Sequence, residues 1–297
     1  MGGHRKMRFD RMFRAMGPFV AMAAMGGLMA ARKNGWKGEW TQKGPAGKWD
    51  WSCGPGPGRG GKFRFNGREG VALDELDMVG DAPCEVVLAC GDNVEIADGP
   101  DFAIAVQGSQ AAKDRLRFVL EDGALFVMRD GTWCDDREGE ETSSDETAAT
   151  VTVTMPAPEK LTIAGSGRVT ASALAAEAEV VIAGSGRIAV QDLATDLLAV
   201  TIAGSGQCSA EGTARRLEIS VAGSGQADMA ALAVEEAEID IAGSGSVTFA
   251  CDGDVSANIM GSGNVTVIGG ARCKVHSMGS GSLVCERAPA SGADKAA

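Results

Sequence analysis

The sequence predicts an all-β protein, a parallel β-solenoid (β-helix) with coils of 18 to 20 residues, and three observations carry that expectation. Gly-Ser-Gly returns seven times, starting at Gly165, Gly184, Gly204, Gly223, Gly243, Gly261 and Gly279, at intervals of 19, 20, 19, 20, 18 and 18 residues. Fixed-period self-similarity of this length marks a stacked repeat. Around each copy the apolar residues alternate, as in Leu161, Ile163 and Val169 or Ala237, Ile239, Ile241, Val247 and Phe249. Period two is the signature of a strand with one buried face. Finally, glycine supplies 42 of 297 residues, Tyr is absent, and Phe and Trp number only 9 and 5, so the core is not built on aromatic packing.

In chain order, the first element is an uncharged run from Ala15 to Ala31. It is preceded by Arg5, Lys6, Arg8, Arg11 and Arg14 and followed by Arg32 and Lys33. This pattern reads as an export signal or an N-terminal membrane anchor over residues 1–31. Residues 32–70 hold four of the five Trp and the run Gly54 to Gly61, and read as a basic linker. Trp36, Trp40, Trp49 and Trp51 interleaved with Lys37, Lys43 and Lys48 would also suit a membrane interface. The spacing Gly56, Gly58, Gly61 matches G-x-G-x-x-G, but Pro55 and Pro57 interrupt it and no strand precedes it, so it is not a dinucleotide site.

From about Val71 the solenoid begins. Cys84, Val86 and Leu88 alternate, as do Leu116, Phe118 and Leu120 with Leu125 and Val127, and Asp122-Gly123 reads as a turn. Asp135 to Glu146 carries seven acids in twelve residues, a solvated loop. Val151 to Met155 alternates again and leads into the first full repeat. Segments rich in Ala, Leu and Glu, such as Ala171 to Ala178 and Met229 to Ala237, are too short for packed helices and read as the remaining side of each coil. The solenoid is expected to end near residue 287, with 288–297 a disordered tail.

Charge divides the chain. Residues 1–68 hold 14 basic and 3 acidic side chains, against 14 basic and 37 acidic beyond them. A body of net −23 repels phosphate backbones, so nucleic acid is not the expected partner of the body; the basic N-terminal stretch could touch nucleic acid or anionic lipid head groups, and its context favours lipid. Of the eight cysteines (Cys53, Cys84, Cys90, Cys134, Cys208, Cys251, Cys273 and Cys285) none forms C-x-x-C, which removes zinc-ribbon and thioredoxin-type chemistry. In an oxidising compartment some would pair, the candidates being Cys84 with Cys90 and Cys273 with Cys285. Cys208 and Cys251 read equally well as small buried hydrophobes.

The alternating stretch from Val71, the Val-Thr-Val-Thr-Met-Pro approach and the iterated Ile-Ala-Gly-Ser-Gly coils together resemble the head GIN domain of auto-transporter adhesins, over roughly residues 71–287. The resemblance implies a right-handed parallel β-helix, bacterial cell-envelope placement and a role in adhesion or surface interaction, and supplies no catalytic residue or ligand. Members of that family often carry Asp after Gly-Ser-Gly. Here the slot holds Arg168, Arg187, Gln207, Gln226, Ser246, Asn264 and Ser282.

The structural residues singled out are the paired corner glycines: Gly165 and Gly167, Gly184 and Gly186, Gly204 and Gly206, Gly223 and Gly225, Gly243 and Gly245, Gly261 and Gly263, Gly279 and Gly281. They mark a corner where φ is positive or an inner-face side chain would not fit. The serines between them, Ser166, Ser185, Ser205, Ser224, Ser244, Ser262 and Ser280, would form a ladder. No His or Lys recurs beside them to act as a base, so they read as turn residues; a hydroxyl ladder able to hold a polysaccharide is the alternative. Calcium is not expected, because the repeat is twice the calcium-binding nonapeptide and lacks its Asp. Asp240, Asn258 and His276 would stack on the last coils as surface polarity, with a weak metal column as the alternative.

No spacing distinguishes a catalytic pair among Glu177, Glu179, Asp192, Asp196, Glu235, Glu236, Glu238, Asp252 and Asp254. The expectation is therefore a non-enzymatic exported protein without metal or cofactor, at the periplasm or cell surface. Its partner would be an envelope or surface component, polysaccharide among the candidates. A carbohydrate-active enzyme on the same scaffold and a purely structural envelope protein are the alternatives.

Overall fold

A computed structural model describes residues 70–129 and 148–286 in full, together with the backbone of strands within 38–69. The expected export segment, the acidic loop 135–146 and the tail 288–297 lie outside the described residues.

The stretch expected to be a linker carries four antiparallel strands, β1 (Gly38–Gly44), β2 (Gly47–Cys53), β3 (Lys62–Phe65) and β4 (Arg68–Glu69). Their backbone register sets Trp40 opposite Trp51 and Trp51 opposite Phe63. The alternation Trp49-Asp50-Trp51 and Phe63-Arg64-Phe65 is a strand signal that the surrounding glycine and lysine obscured.

The solenoid comprises β5 (Glu85–Ala89), β6 (Asn93–Asp98), β7 (Ala103–Gln107), α1 (Gln110–Arg115), β8 (Leu116–Glu121), β9 (Ala124–Arg129), β10 (Thr150–Met155), β11 (Lys160–Gly165), β12 (Arg168–Ala171), β13 (Glu177–Gly184), β14 (Arg187–Gly204), β15 (Gln207–Gly223), β16 (Gln226–Gly243), β17 (Ser246–Gly261), β18 (Asn264–Ile268), β19 (Arg272–Gly279) and β20 (Ser282–Glu286). Two walls meet at the Gly-Ser-Gly corner. One runs β9, β5, β11, β13, the second halves of β14 to β17, then β19; the other runs β10, β6, β12, the first halves of β14 to β17, β18 and β20. All seven corner glycines from Gly165 to Gly279 stand in register. The predicted superposition of Gly-Ser-Gly units is therefore observed.

The third side is closed by short pairings of Leu193–Thr195 with Gly212–Ala214 and then Leu232–Val234, after a register shift at each bend. Met229 to Ala237 thus completes the coil as expected. Inside, Ile163, Ile182, Ile202, Val221, Ile241 and Ile259 form one buried column, and Val169, Ile188, Cys208, Ala227, Val247 and Val265 another. Burying a side chain the size of Ile stabilises by about 1.5–3 kcal/mol, and the parallel ladders satisfy the backbone of each rung.

The two glycines of a corner do different work. Gly184 has φ +127°, and a Cβ there would stand 2.5 Å from the carbonyl oxygen of Gly165. Gly186 faces inward, where a Cβ would stand 2.5 Å from Cγ2 of Ile163. The first is thus required by backbone conformation and the second by packing.

The N-terminal end of the stack is closed by elements outside the repeat. β8 and β9 form an antiparallel hairpin through Asp122 (φ 51°) and Gly123 (φ 75°), the left-handed pair of a two-residue turn. β7 lies antiparallel on β10. The chain is nearly all-β, with the six-residue helix α1 set at this end of the stack. Ser109 caps it by accepting a hydrogen bond from the Ala112 N–H at 3.2 Å, and Ala112 is buried in the core. On the outer face of the first rungs, Val87, Ala89, Val119, Phe126, Met128, Ala164 and Ala183 make a second apolar cluster.

At the opposite end, Cys273 on β19 and Cys285 on β20 form a disulfide between the two walls of the last coil. Cys84 and Cys90, the other candidate pair, do not bond: Cys84 is exposed and Cys90 buried, both as free thiols. They flank β5, and six residues of extended chain separate them by roughly 20 Å. Cys208 and Cys251 are buried and free, the hydrophobic role expected of them. Cys53 and Cys134 lie outside the residues whose side chains are described.

Candidate binding surface

Each corner sends its serine outward. Ser166, Ser185, Ser205, Ser224, Ser244, Ser262 and Ser280 are all exposed, and the backbone N–H of Ser185 donates to the Gly165 carbonyl at 3.0 Å, as Ser205 does to Gly184 at 2.9 Å. The column is thus held by the rung beneath it while its hydroxyls face solvent.

Beside it runs a second outward column, the residue after each Gly-Ser-Gly. Register places Asn93, Arg168, Arg187, Gln207, Gln226, Ser246, Asn264 and Ser282 one above another. The side chains bond along the column. Arg187 donates to Gln207 Oε1 through Nε at 2.8 Å and Nη2 at 2.6 Å, Gln207 donates to Gln226 Oε1 at 3.4 Å, and the Ser282 hydroxyl donates to Asn264 Oδ1 at 2.9 Å. No carboxylate occupies this column. At its N-terminal end a hollow of about 280 Å³ is lined by Gly91, Asn93, Ser166, Arg168, Ser185 and Arg187.

Several acids elsewhere on the coils are tied into ion pairs. Arg215 contacts Asp196 at 3.2 Å and Glu235 at 3.9 Å; Arg216 reaches Glu236 at 4.0 Å and Glu238 at 3.6 Å; Arg272 meets Asp254 at 2.8 Å. The Arg272 hydrogen bonds hold the Asp254 carboxyl below its usual range. Lys160 sits between Glu85 at 3.8 Å and Glu179 at 3.2 Å. Burial pushes the Glu85 carboxyl above its ordinary 4.5, outweighing Lys160 and the Thr162 hydroxyl that donates to it at 3.3 Å. These carboxylates are held in pairs along the successive coils. A second hollow, of about 480 Å³, lies among them, lined by Thr195, Thr213, Arg215, Val234, Glu235 and Asp252.

Asp240, Asn258 and His276 do stack in register, and Asn258 donates to Asp240 Oδ1 at 2.8 Å. That contact makes the column a surface hydrogen-bond ladder. Among the described residues no group of three His, Cys, Asp or Glu is placed to hold a metal ion.

Sequence reasoning missed one arrangement. Glu85 to Asp92 is a degenerate repeat, and Asp92 takes the place of the second corner glycine: the Arg168 N–H donates to its carbonyl at 3.0 Å, as Arg187 does to Gly167. Its fully buried carboxylate accepts from Arg129 Nε at 2.6 Å, from Arg129 Nη2 and from the Ala149 N–H at 2.7 Å. Aligning Glu-Val-Val-Leu-Ala-Cys-Gly-Asp with Lys-Leu-Thr-Ile-Ala-Gly-Ser-Gly would have found it.

Stacked coils with in-register corners and outward polar ladders define a parallel β-solenoid of the kind used to present an extended surface. The chain matches the family described as "Putative auto-transporter adhesin, head GIN domain" over residues 83–271, more than half its length, and belongs to it. Among solved structures it is similar to a putative adhesin from Bacteroides fragilis, at 18% identity and TM-score 0.61, covering 69% of this chain and 93% of that one. A protein from Parabacteroides distasonis described as a putative lipid binding protein matches at 22% identity and TM-score 0.54, over 69% and 93% of the two chains. A putative adhesin from Parabacteroides merdae matches at 19% identity and TM-score 0.53, over 69% and 92%. At these identities the likeness establishes the fold. No curated protein matches the chain.

Proposed function

We propose that the protein is a non-enzymatic envelope module that binds a surface component through the outward face of its coils. The observation that carries this reading is the uninterrupted, carboxylate-free polar column beside the serine ladder, set in a body of strongly negative charge. Flat, regular and hydrogen-bonded along its length, it suits recognition of an extended partner and offers no enclosed cleft in which water could be excluded from a reaction. Family membership supports adhesion as the outcome of that binding. The Cys273–Cys285 disulfide suits an exported protein, since such bonds persist in oxidising compartments. The basic, apolar N-terminal segment would direct export and tether the body to the membrane. Among the described residues no helix is long and apolar enough to cross a membrane.

The test is deletion of the gene region together with binding of the purified protein to isolated envelope. Reduced attachment and saturable envelope binding are expected. Turnover of pectin, alginate or hyaluronan by the purified protein would replace this reading with the carbohydrate-active one, and neither binding nor turnover would leave a structural envelope protein.

A further inference from the structure

We infer that the Arg168–Arg187 corner is an anchoring site for the carboxylate of a linear acidic polysaccharide whose chain then follows the polar column toward the C-terminal end. This rests on the surface-binding reading above and names its ligand class.

Arg168 and Arg187 face one another directly on β12 and β14. Like charges opposite one another destabilise a sheet, and both guanidiniums are exposed on the same side. Among the described residues neither is ion-paired: Arg187 donates only to the neutral Gln207 amide oxygen, whereas Arg215, Arg216 and Arg272 all meet carboxylates. Two cations thus stand together without counterions in a body carrying a large acidic excess. An anion bridging them would relieve their repulsion and receive charge-assisted hydrogen bonds in the planar geometry that guanidinium offers to carboxylate. The hollow at this corner supplies the space, because residue 91 is glycine where later coils carry serine. Ser166, Ser185 and Asn93 line it with further hydrogen-bonding groups.

The rest of the column favours a glycan over a lipid. Beyond Arg187 it presents Gln207, Gln226, Ser246, Asn264 and Ser282, amides and hydroxyls with no apolar side chain that could receive an acyl tail. Successive coils lie about 4.8 Å apart, close to the length of one hexopyranose residue in an extended chain, so one sugar can meet one rung. The negative body repels an anionic polymer elsewhere, which restricts binding to this edge.

The experiment measures binding of the full chain to alginate, with neutral dextran and phosphatidylglycerol vesicles as comparisons. Saturable alginate binding that weakens with salt is expected, with little binding to dextran. Arg168→Gln/Arg187→Gln should lower alginate affinity about tenfold or more, while Arg215→Gln/Arg272→Gln, with the same change in net charge, should leave it nearly unaltered. Gly91→Leu keeps both charges but fills the hollow, and should weaken binding as the double variant does. Equal loss in both double variants would reduce the effect to net charge and overturn the inference. Vesicle binding that depends on Arg168 and Arg187 and exceeds alginate binding would overturn it in favour of a lipid headgroup. Envelope binding without alginate binding would overturn this inference while leaving the surface-binding reading intact; loss of both would remove the two together.

Discussion

Gly186 lies beneath the Cγ2 methyl of Ile163, so close that a Cβ at position 186 would stand 2.5 Å away. The same relation recurs between Gly245 and Val221, at 2.6 Å, so the second corner glycine and the branched residue of the preceding rung form one packing unit. Gly186→Ala is expected to lower stability by about 1–3 kcal/mol through overpacking. Ile163→Ala should cost about 2–5 kcal/mol by itself, yet the double variant should cost less than the sum by roughly 1 kcal/mol or more. Denaturant midpoints of the three variants measure this coupling, and strict additivity would contradict the packing account.

The buried Asp92–Arg129 pair closes the N-terminal end. Arg129→Met leaves a carboxylate in the core and should cost about 3–5 kcal/mol, whereas Asp92→Asn combined with Arg129→Met should recover part of that loss. Thermal unfolding of the single and double variants tests it. A single variant within a few tenths of wild type would show that the pair does not hold the end of the stack.

Reduction of Cys273–Cys285 removes the covalent tie across the last coil. For a loop this short the loss is expected to be about 3 kcal/mol, confined to the rungs nearest β19 and β20 because each coil contacts only its neighbours. Hydrogen exchange should quicken at Arg272–Glu286 and stay unchanged at β5 and β11. Uniform acceleration along the stack would contradict a local role.

Thiol reactivity follows burial. Burial pushes the Cys208 thiol up to about 12 and raises those of Cys90 and Cys251 as well. At mildly alkaline pH a thiol reagent should label Cys84 in the native protein and spare these three, read by peptide mass mapping. Labelling of Cys208 without unfolding would show that the coil opens there.

Glu85 sets a pH dependence. Its folded value is raised above 4.5, so the folded state holds the proton more tightly and the associated stability is present at acid pH, then lost as pH rises through the folded value. Glu85→Gln removes this loss. The variant should match wild type below about pH 4 and be the more stable of the two at neutral pH. The opposite order at neutral pH would mean that the Lys160 and Thr162 contacts outweigh burial.

Much of the molecule was legible in the residues because the repeat specifies nearest neighbours. Alternation of Leu161, Ile163 and Val169 marks which side faces in, and the recurrent Gly-Ser-Gly marks where the chain turns, so the corner glycines, the serine column and the stacking of Asp240, Asn258 and His276 followed from counting. The candidate surface was legible only in part. Arg168 and Arg187 were visible as departures from an acidic slot, but their exposure together beside an open corner at Gly91 was not.

The sequence by itself determined the period, the inward columns and the superposition of the coils, since each depends on contacts that recur at one interval along the chain. Only the tertiary structure decided how the ends are closed: by Asp92 reaching Arg129 and the Ala149 N–H, by the helix Gln110–Arg115 set into the core, and by Cys273 bonding Cys285 while Cys84 and Cys90 stay apart. The physical reason is that a terminal coil has a neighbour on one side only. What covers its other side comes from residues outside the repeat, whose spacing along the chain carries no period to read.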